Sequence, residues 1–394
     1  MSIFEKCCQF KEMVDKLKSQ NRFFYMREID PPSAPTGIFK DRKMVMLGSN
    51  NYLGLANHPK VIEATLETIR RFGTGACSSR ILTGTTSLHA KLERKLADFK
   101  GTEDAVVFPS GYMAMMGTIT ALTGPGDVIL SDELNHASIV DGCRLSKAQV
   151  RIYRHNDMAS LEEELAKCSD YANKLIVTDA VFSMRGTVAR LPEIKRLAIG
   201  YGAQIMIDDA HGTGVLGAAG RGTPEHFGME GQIDLVCGTF SKALASVGGF
   251  AGATKEAVTY LKLNSRPFIF TASPAPATMA TVLACIEVLE MEPELLARLR
   301  HNTDFVKNGL KDLGFAFEDT VTPIIPIFIG DDMKTFTMAG ELEKEGVMAN
   351  PIVPPAVPRK SSLIRVSVMA SLSRKELEFA LDKFRLAGRR ARVI

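Results

Sequence analysis

The chain has 394 residues, a formal net charge of +3, 45% apolar residues and 24% charged ones. That length supports a large core and two domains, with the composition of a globular protein. The charge is spread out with no basic block for nucleic acid, no apolar run reaches membrane-spanning length, and no signal-peptide core opens the chain.

Cys7, Cys8, Cys77, Cys143, Cys168, Cys237 and Cys285 are odd in number and lack CxxC spacing. They read as reduced thiols of a cytoplasmic protein with no metal site. Residues 3–20 carry Phe4, Phe10, Met13, Val14 and Leu17 at helical spacing. That predicts an amphipathic helix, a packing face for the body or a partner subunit, with at most peripheral membrane contact. Pro31, Pro32 and Pro35 then break regular structure, and a strand is expected at 43–47. It runs into a polar loop holding Asn50, Asn51 and Tyr52, either a plain turn or the wall of a substrate pocket.

Helical patterns follow at 59–72 and 86–100, and a short apolar strand at 105–109. Ser110, Gly111 and Tyr112 then open a helix. Free backbone N–H groups at the positive end of a helix dipole make an anion site, although many such junctions bind nothing. Strands at 127–130, 174–180, 204–207 and 233–236 alternate with helices, including one after His136 and one at 191–200. This alternation predicts an α/β fold with a mostly parallel central sheet and helices on both faces. Ligands of such sheets bind beyond the carboxyl ends of the strands. Ser110, His136, Ser183, Asp208, His211 and Lys242 all fall at those ends.

Helices at 277–291 and 293–314 lead away from the sheet. From 324 the pattern becomes a smaller α+β domain: strands at 324–329, 347–349 and 363–368, helices at 334–345 and 374–386, and four prolines between 351 and 358. The expected division is an N-terminal helix and arm at 1–48, a large cofactor-binding domain at 49–285 and a small domain at 286–394.

Lys242 follows an apolar strand and stands among small residues and paired glycines, beside the hydroxyls of Thr239 and Ser241. Desolvation there favours the free amine, which a Schiff-base nucleophile needs, and the hydroxyls suit phosphate oxygens. A buried carboxylate at Asp208 needs a cationic partner, and a heteroaromatic nitrogen held protonated is one. An amine for an aldehyde, an acid for a pyridine nitrogen and an anion cradle are the protein-side requirements of pyridoxal 5'-phosphate. His136 suits stacking on the ring and His211 a hydrogen bond near its phenolic oxygen. For each histidine a satisfied structural role is the alternative.

The motifs Gly48-Ser-Asn-Asn-Tyr-Leu-Gly-Leu55, Asn135-His-Ala-Ser138, Asp208-Asp-Ala-His-Gly-Thr-Gly-Val-Leu-Gly217 and Gly238-Thr-Phe-Ser-Lys-Ala-Leu244 resemble those of the α-oxoamine synthases, in the same order, over about residues 43–386. The resemblance implies the type I fold of pyridoxal-phosphate-dependent transferases and a homodimer with shared active sites. It also implies condensation of an amino acid with an acyl-CoA, releasing CoA and CO2. By position it makes Lys242 the Schiff-base lysine, Asp208 the pyridine-nitrogen partner and His136 the stacking ring, with Ser183 and His211 near the phenolic oxygen. Ser110 precedes Gly111 and Tyr112, whose N–H groups would meet the phosphate with the Thr239 and Ser241 hydroxyls. Thr271 would reach the phosphate of the other subunit. Asn51 and Tyr52 would line the substrate pocket, and Arg365 would hold the amino-acid carboxylate, its fork matching the two oxygens. Read alone, Arg365 is more simply a surface ion pair on an edge strand.

The run Asp208 to Gly217 leans towards members that take a dicarboxylic acyl group, while the C-terminal run around the four prolines resembles members that join serine to a long acyl chain. Val353 stands where the former often carry arginine, and an uncharged residue suits an apolar chain. Two departures bear on substrate choice: Arg185 where the family usually has an acid, and Ser371-Leu-Ser where it commonly has a histidine. A catalytically silent, partner-binding relative would have lost the lysine. The glycines between Gly212 and Gly222 lack the GxGxxG spacing of a nicotinamide site.

Overall fold

A computed structural model describes residues 2–20 and 22–394. The chain forms two compact units, one of Asn50–Arg298 and one of Met1–Ser49 with Leu299–Ile394. The division differs from the expected one at both edges. A boundary at 285 would cut the helix Pro276–Met291, which is apolar and buried nearly all round. The N-terminal arm is no separate piece, because Arg42–Met46 pairs in parallel with Val347–Met348.

In the larger unit seven strands form one sheet: β1 (Asp104–Phe108), β2 (Val128–Asp132), β3 (Gln149–Tyr153), β4 (Lys174–Asp179), β5 (Gln204–Asp208), β6 (Leu235–Thr239) and β7 (Gly249–Ala253). Their order is β1-β7-β6-β5-β4-β2-β3. From β3 to β6 the neighbours are parallel, while β7 runs antiparallel to both β6 and β1. Strand residues alternate between faces. Val128, Leu130, Ile176, Ile205, Ile207 and Val236 pack on one side with Leu161 and Leu165 of Met158–Ala166 and Ile194 and Leu197 of Leu191–Tyr201. Ile129, Leu175, Val177, Met206 and Leu235 pack on the other with Met115 and Ile119 of Gly111–Leu122 and Ile139 of Ala137–Ser146. Each fully buried aliphatic side chain contributes about 1.5–3 kcal/mol. The two-sided burial aligns the carboxyl ends of the parallel strands along one edge.

In the smaller unit Ser362–Ser367 is the central strand between Ile324–Gly330 and Asn350–Ile352, antiparallel to both. Its core joins Met44, Leu310, Ile325, Ile327, Met338, Ile364, Val366 and Phe384. The predicted N-terminal helix forms as Ile3–Ser19 with a Ser2–Glu5 capping box. None of its side chains is fully buried, and of its apolar stripe only Val14 and Leu17 are half-buried. Among the described residues no helix is long and apolar enough to cross a membrane.

Candidate active site

Three carboxylates and a threonine end four parallel strands: Asp132 on β2, Asp179 on β4, Asp208 on β5 and Thr239 on β6. Asp179 stands opposite Asp208, and Asp208 opposite Cys237 of β6. Asp208 Oδ1 accepts the Ala210 N–H at 3.0 Å. Burial holds Asp208 above the ordinary carboxylate range, against the pull of Lys242, His136 and that N–H. The same interactions reach back: burial lowers the pKa of His136, opposed by Asp208 and aided by Lys242. Lys242, Asp208 and His136 are therefore electrostatic neighbours.

Lys242 sits three residues past β6, in the turn that leads back into β7. Phe240 and Gly248 bond across this turn, and Ser246 N–H donates to the Phe240 carbonyl. The expected strand at 233–236 begins two residues later and takes in Gly238 and Thr239. β7 itself was not foreseen, because its sequence, Gly-Phe-Ala-Gly-Ala, is poor in strand formers. Close backbone approach explains the glycines. A Cβ on Gly249 would lie 2.6 Å from Gly111 Cα, and one on Gly111 would lie 2.7 Å from Thr239 Cβ.

That approach brings the start of helix Gly111–Leu122 against the end of β6. Ser110 caps the helix, its Oγ accepting the Met113 N–H at 3.1 Å. Thr239 Oγ1 donates to the Gly248 carbonyl and lies 2.9 Å from Ser241 Oγ. Gly111, Tyr112, Thr239 and Ser241 are thus gathered at one helix N-terminus, a site suited to an anion. The Tyr112 hydroxyl donates to the Asp141 carboxylate, and its ring lies edge-on to His136 at 6.2 Å.

His136 caps the helix Ala137–Ser146. Its Nδ1 accepts the Ser138 N–H at 3.3 Å, which leaves the ring proton on Nε2. Its own N–H donates to Asp179 Oδ1 at 3.4 Å. His211 is buried beside Tyr52, whose hydroxyl lies 2.8 Å from His211 Nδ1. Asn51 Oδ1 accepts the Ala56 N–H, which shapes the loop that carries Tyr52. Ser183 lies half-buried in the loop closed by the Val181–Val188 bridge.

Thr271 lines a surface cleft with Cys77, Ser79, Ile81, Leu82 and Phe270, and Lys242, Asp208 and His136 do not line it. Arg365 belongs to the smaller unit. It is buried at the centre of its three-stranded sheet, with Nη1 donating to Ser367 Oγ at 2.7 Å. The alternative of a surface ion pair on an edge strand is excluded.

Sequence reasoning missed Asp179. Burial, and then the charge of Asp208, hold its carboxyl well above the ordinary range. An acid after an apolar strand was the available signal. It also missed His155 and Asn156. His155 joins Asp132 at 3.1 Å to Thr187 at 3.1 Å and meets the Phe182 ring edge-on at 4.3 Å. Asn156 Nδ2 donates to the Val188 carbonyl. Together they clamp the loop that carries Ser183.

A family model for aminotransferase class I and II matches residues 42–384. The chain belongs to that family and, within it, to the α-oxoamine synthases. Two kinds of relative carry the likeness. The serine palmitoyltransferase of Bacteriovorax stolpii is 46% identical over 374 residues, 95% of this chain and 89% of its own length. The 8-amino-7-oxononanoate synthase of Thermoanaerobacter pseudethanolicus is 43% identical over 385 residues, 98% of each chain. Among solved structures, the Sphingomonas wittichii serine palmitoyltransferase matches all of both chains with a TM-score of 0.96 and 36% identity. A structure of SPT with its PLP internal aldimine matches equally well, with a TM-score of 0.96 and 34% identity over the whole of both chains.

Proposed function

We propose that this chain is a pyridoxal-phosphate-dependent serine palmitoyltransferase, joining L-serine to palmitoyl-CoA with release of CoA and CO2. The carrying observation is the grouping of Lys242, Asp208 and His136 at the strand ends beside a glycine-built anion site. The donor set fits the cofactor. Asp208 is a buried acid whose proton affinity is raised by burial, and a protonated pyridine nitrogen would relieve that cost. A Cβ at Gly111 would collide with Thr239, so the glycine lets the helix N-terminus close on the Thr239 hydroxyl, and the two would share the phosphate.

When bound, the cofactor supplies an electron sink next to the amino-acid nitrogen. Lys242 would hold it through its amine, and Asp208 would accept a hydrogen bond from its ring nitrogen. His136 would stack on the ring, Ser183 and His211 would stand near the phenolic oxygen, and Ser110, Gly111, Tyr112, Thr239 and Ser241 would hold the phosphate. The freed Lys242 amine would remove the α-proton of the amino acid as a general base. Arg365 binds the substrate carboxylate, while Asn51 and Tyr52 form the wall that orients the two substrates. Holding both in one cleft removes much of the entropic cost of their meeting.

The acyl group is read as long and apolar because Val353 is uncharged and buried. The protein works in the cytoplasm as a homodimer. Ile81, Leu82 and Phe270 are exposed beside Thr271, and this apolar face suits a second copy whose phosphate Thr271 would meet.

The test is CoA release by the cofactor-loaded protein over serine, alanine and glycine against palmitoyl-, pimeloyl- and acetyl-CoA. Turnover confined to serine with palmitoyl-CoA is the expected result. Turnover with alanine and pimeloyl-CoA would make it an 8-amino-7-oxononanoate synthase, and glycine with acetyl-CoA a 2-amino-3-ketobutyrate CoA ligase. A protein that binds the cofactor and turns over none of these would overturn the proposal.

A further inference from the structure

Beside Asp208 lies a second carboxylate that the proposed chemistry does not use. Asp209 is fully buried, and its side chain is enclosed by the chain's own donors. Lys100 Nζ lies 2.7 Å from Asp209 Oδ2, with the two side chains 1% and 0% exposed. Thr213 Oγ1 donates to the same oxygen at 3.1 Å. Thr223 gives both its hydroxyl, at 2.6 Å, and its N–H, at 3.1 Å, to Oδ1. Lys100 also donates to Thr213 Oγ1 at 3.1 Å and to the Arg221 carbonyl.

These contacts tie together pieces far apart in sequence. Lys100 is the last residue of the helix Ser87–Lys100, whereas Asp209 follows β5. Asp209 N–H donates to the Cys237 carbonyl of β6, and the Asp209 carbonyl accepts from Gly212 and Thr213. The loop is built around the carboxylate. A Cβ at Gly212 would lie 2.0 Å from Asp209 Oδ1, and one at Gly222 would lie 1.8 Å from Oδ2 and 2.6 Å from Lys100 Nζ. The loop's glycines therefore make room for an ion pair, a different use from the phosphate cradle of a dinucleotide site.

We propose that Lys100 and Asp209 are a positioning pair, in which the buried ammonium offsets the Asp209 charge and pins the loop that holds Asp208 and His211. The inference rests on the functional reading given above. A buried carboxylate one residue from Asp208 opposes ionisation of Asp208, and Asp209 does push it upward. Lys100 supplies the opposite charge. The other charged or titratable groups acting on Asp208 are Lys242, His136, Asp179 and Cys237. Lys100 is thus a buried cation that works on the site from outside it.

The experiment titrates pyridoxal phosphate onto the full-length, cofactor-stripped protein by absorbance, across pH, in wild type, Lys100→Met, Asp209→Asn and the double variant. Thermal melts run in parallel. With Lys100 gone the acidic limb of cofactor affinity, where Asp208 loses its charge, moves up by about one pH unit. With Asp209 neutral it moves down. In the double variant it returns towards wild type. Melting temperatures that fall while the limb stays fixed in every folded variant would reduce the pair to a structural bridge and overturn the proposal. If Lys100→Met does not fold, the comparison of Asp209→Asn with the double variant decides, since the double variant leaves neither buried charge without its partner. A wild type that binds no cofactor would overturn the functional reading, and this inference with it. A fixed limb in a wild type that binds would sink this inference only.

Discussion

The Tyr52 hydroxyl lies 2.8 Å from His211 Nδ1, and both side chains are buried. Tyr52 comes from the loop before the first helix of the larger unit and His211 from the loop after β5, so this contact joins two walls of the proposed pocket. The Tyr52 hydroxyl also donates to Asn50 Oδ1 at 3.2 Å. Tyr52→Phe removes an orienting bond worth about 1 kcal/mol, and a roughly fivefold fall in kcat/KM follows. Steady-state CoA release with a thermal melt checks it. An unchanged kcat/KM would show that His211 is held without Tyr52.

Lys242 is the proposed Schiff-base lysine, and it is also the strongest of the groups that hold the Asp208 pKa down against burial. Lys242→Ala removes both effects. The turn that carries it is closed by backbone bonds between Phe240, Ser246 and Gly248, so the fold is expected to survive. Circular dichroism should match wild type while turnover disappears. Borohydride should fix the cofactor to the wild-type peptide containing Lys242 and to no peptide of the variant. Residual condensation at the wild-type rate would remove the lysine from the mechanism.

Asp179 and Asp208 end neighbouring strands in register, two buried acids side by side. Burial and the Asp208 charge raise the Asp179 pKa, so the folded state holds its proton more tightly than the unfolded chain does. Stability from this group is therefore greatest at low pH. It falls as pH rises from the unfolded value near about 3.9 through the raised folded one. Buried histidines work in the other sense. His89 is lowered to about 4 by burial, so its share of stability falls as pH drops below the ordinary histidine value of about 6.5. His136 is lowered as well, with the same sign. Comparing wild type with Asp179→Asn cancels His89, whose ring bonds to Thr86 and Pro274. Urea unfolding of the cofactor-free proteins should show the variant gaining on wild type as pH rises from about 4 to about 8. A constant gap across the series would mean that Asp179 is not strained by its charge.

Much of the sheet was legible because strands buried on both faces read as unbroken apolar runs, and the acids or turn residues that end them mark the carboxyl edge. Lys242, Asp208 and His136 were placed near that edge in the same way. The strand Gln149–Tyr153 was not, since it lies at the sheet edge, is largely open to solvent and carries polar residues. β7 was hidden by glycines whose reasons are the approach of Gly111 to Gly249 and of Thr102 to Gly252, contacts more than a hundred residues distant in sequence. The same limit hid the pairing of Arg42–Met46 with Val347–Met348. It also hid the link from His155 to Asp132 and Thr187. In each case the local pattern was ordinary and the information lay in the partner.

Gly111 offers the sharpest test of the anion site. Its position on the first turn of Gly111–Leu122 is pressed against β6, and an added methyl would lie 2.7 Å from Thr239 Cβ and 2.9 Å from Thr239 Oγ1. The helix start would have to move away from β6. Overpacking of this kind costs about 1–3 kcal/mol, so the melting temperature should fall. The displacement would also part the backbone N–H groups of Gly111 and Tyr112 from the hydroxyls of Thr239 and Ser241, which the phosphate needs together. Gly111→Ala should then weaken cofactor binding at least tenfold, measured by titration of the stripped protein. Its Lys242 would still be fixed to the cofactor by borohydride at saturating concentration. A variant that melts early but binds the cofactor as tightly as wild type would place the phosphate elsewhere.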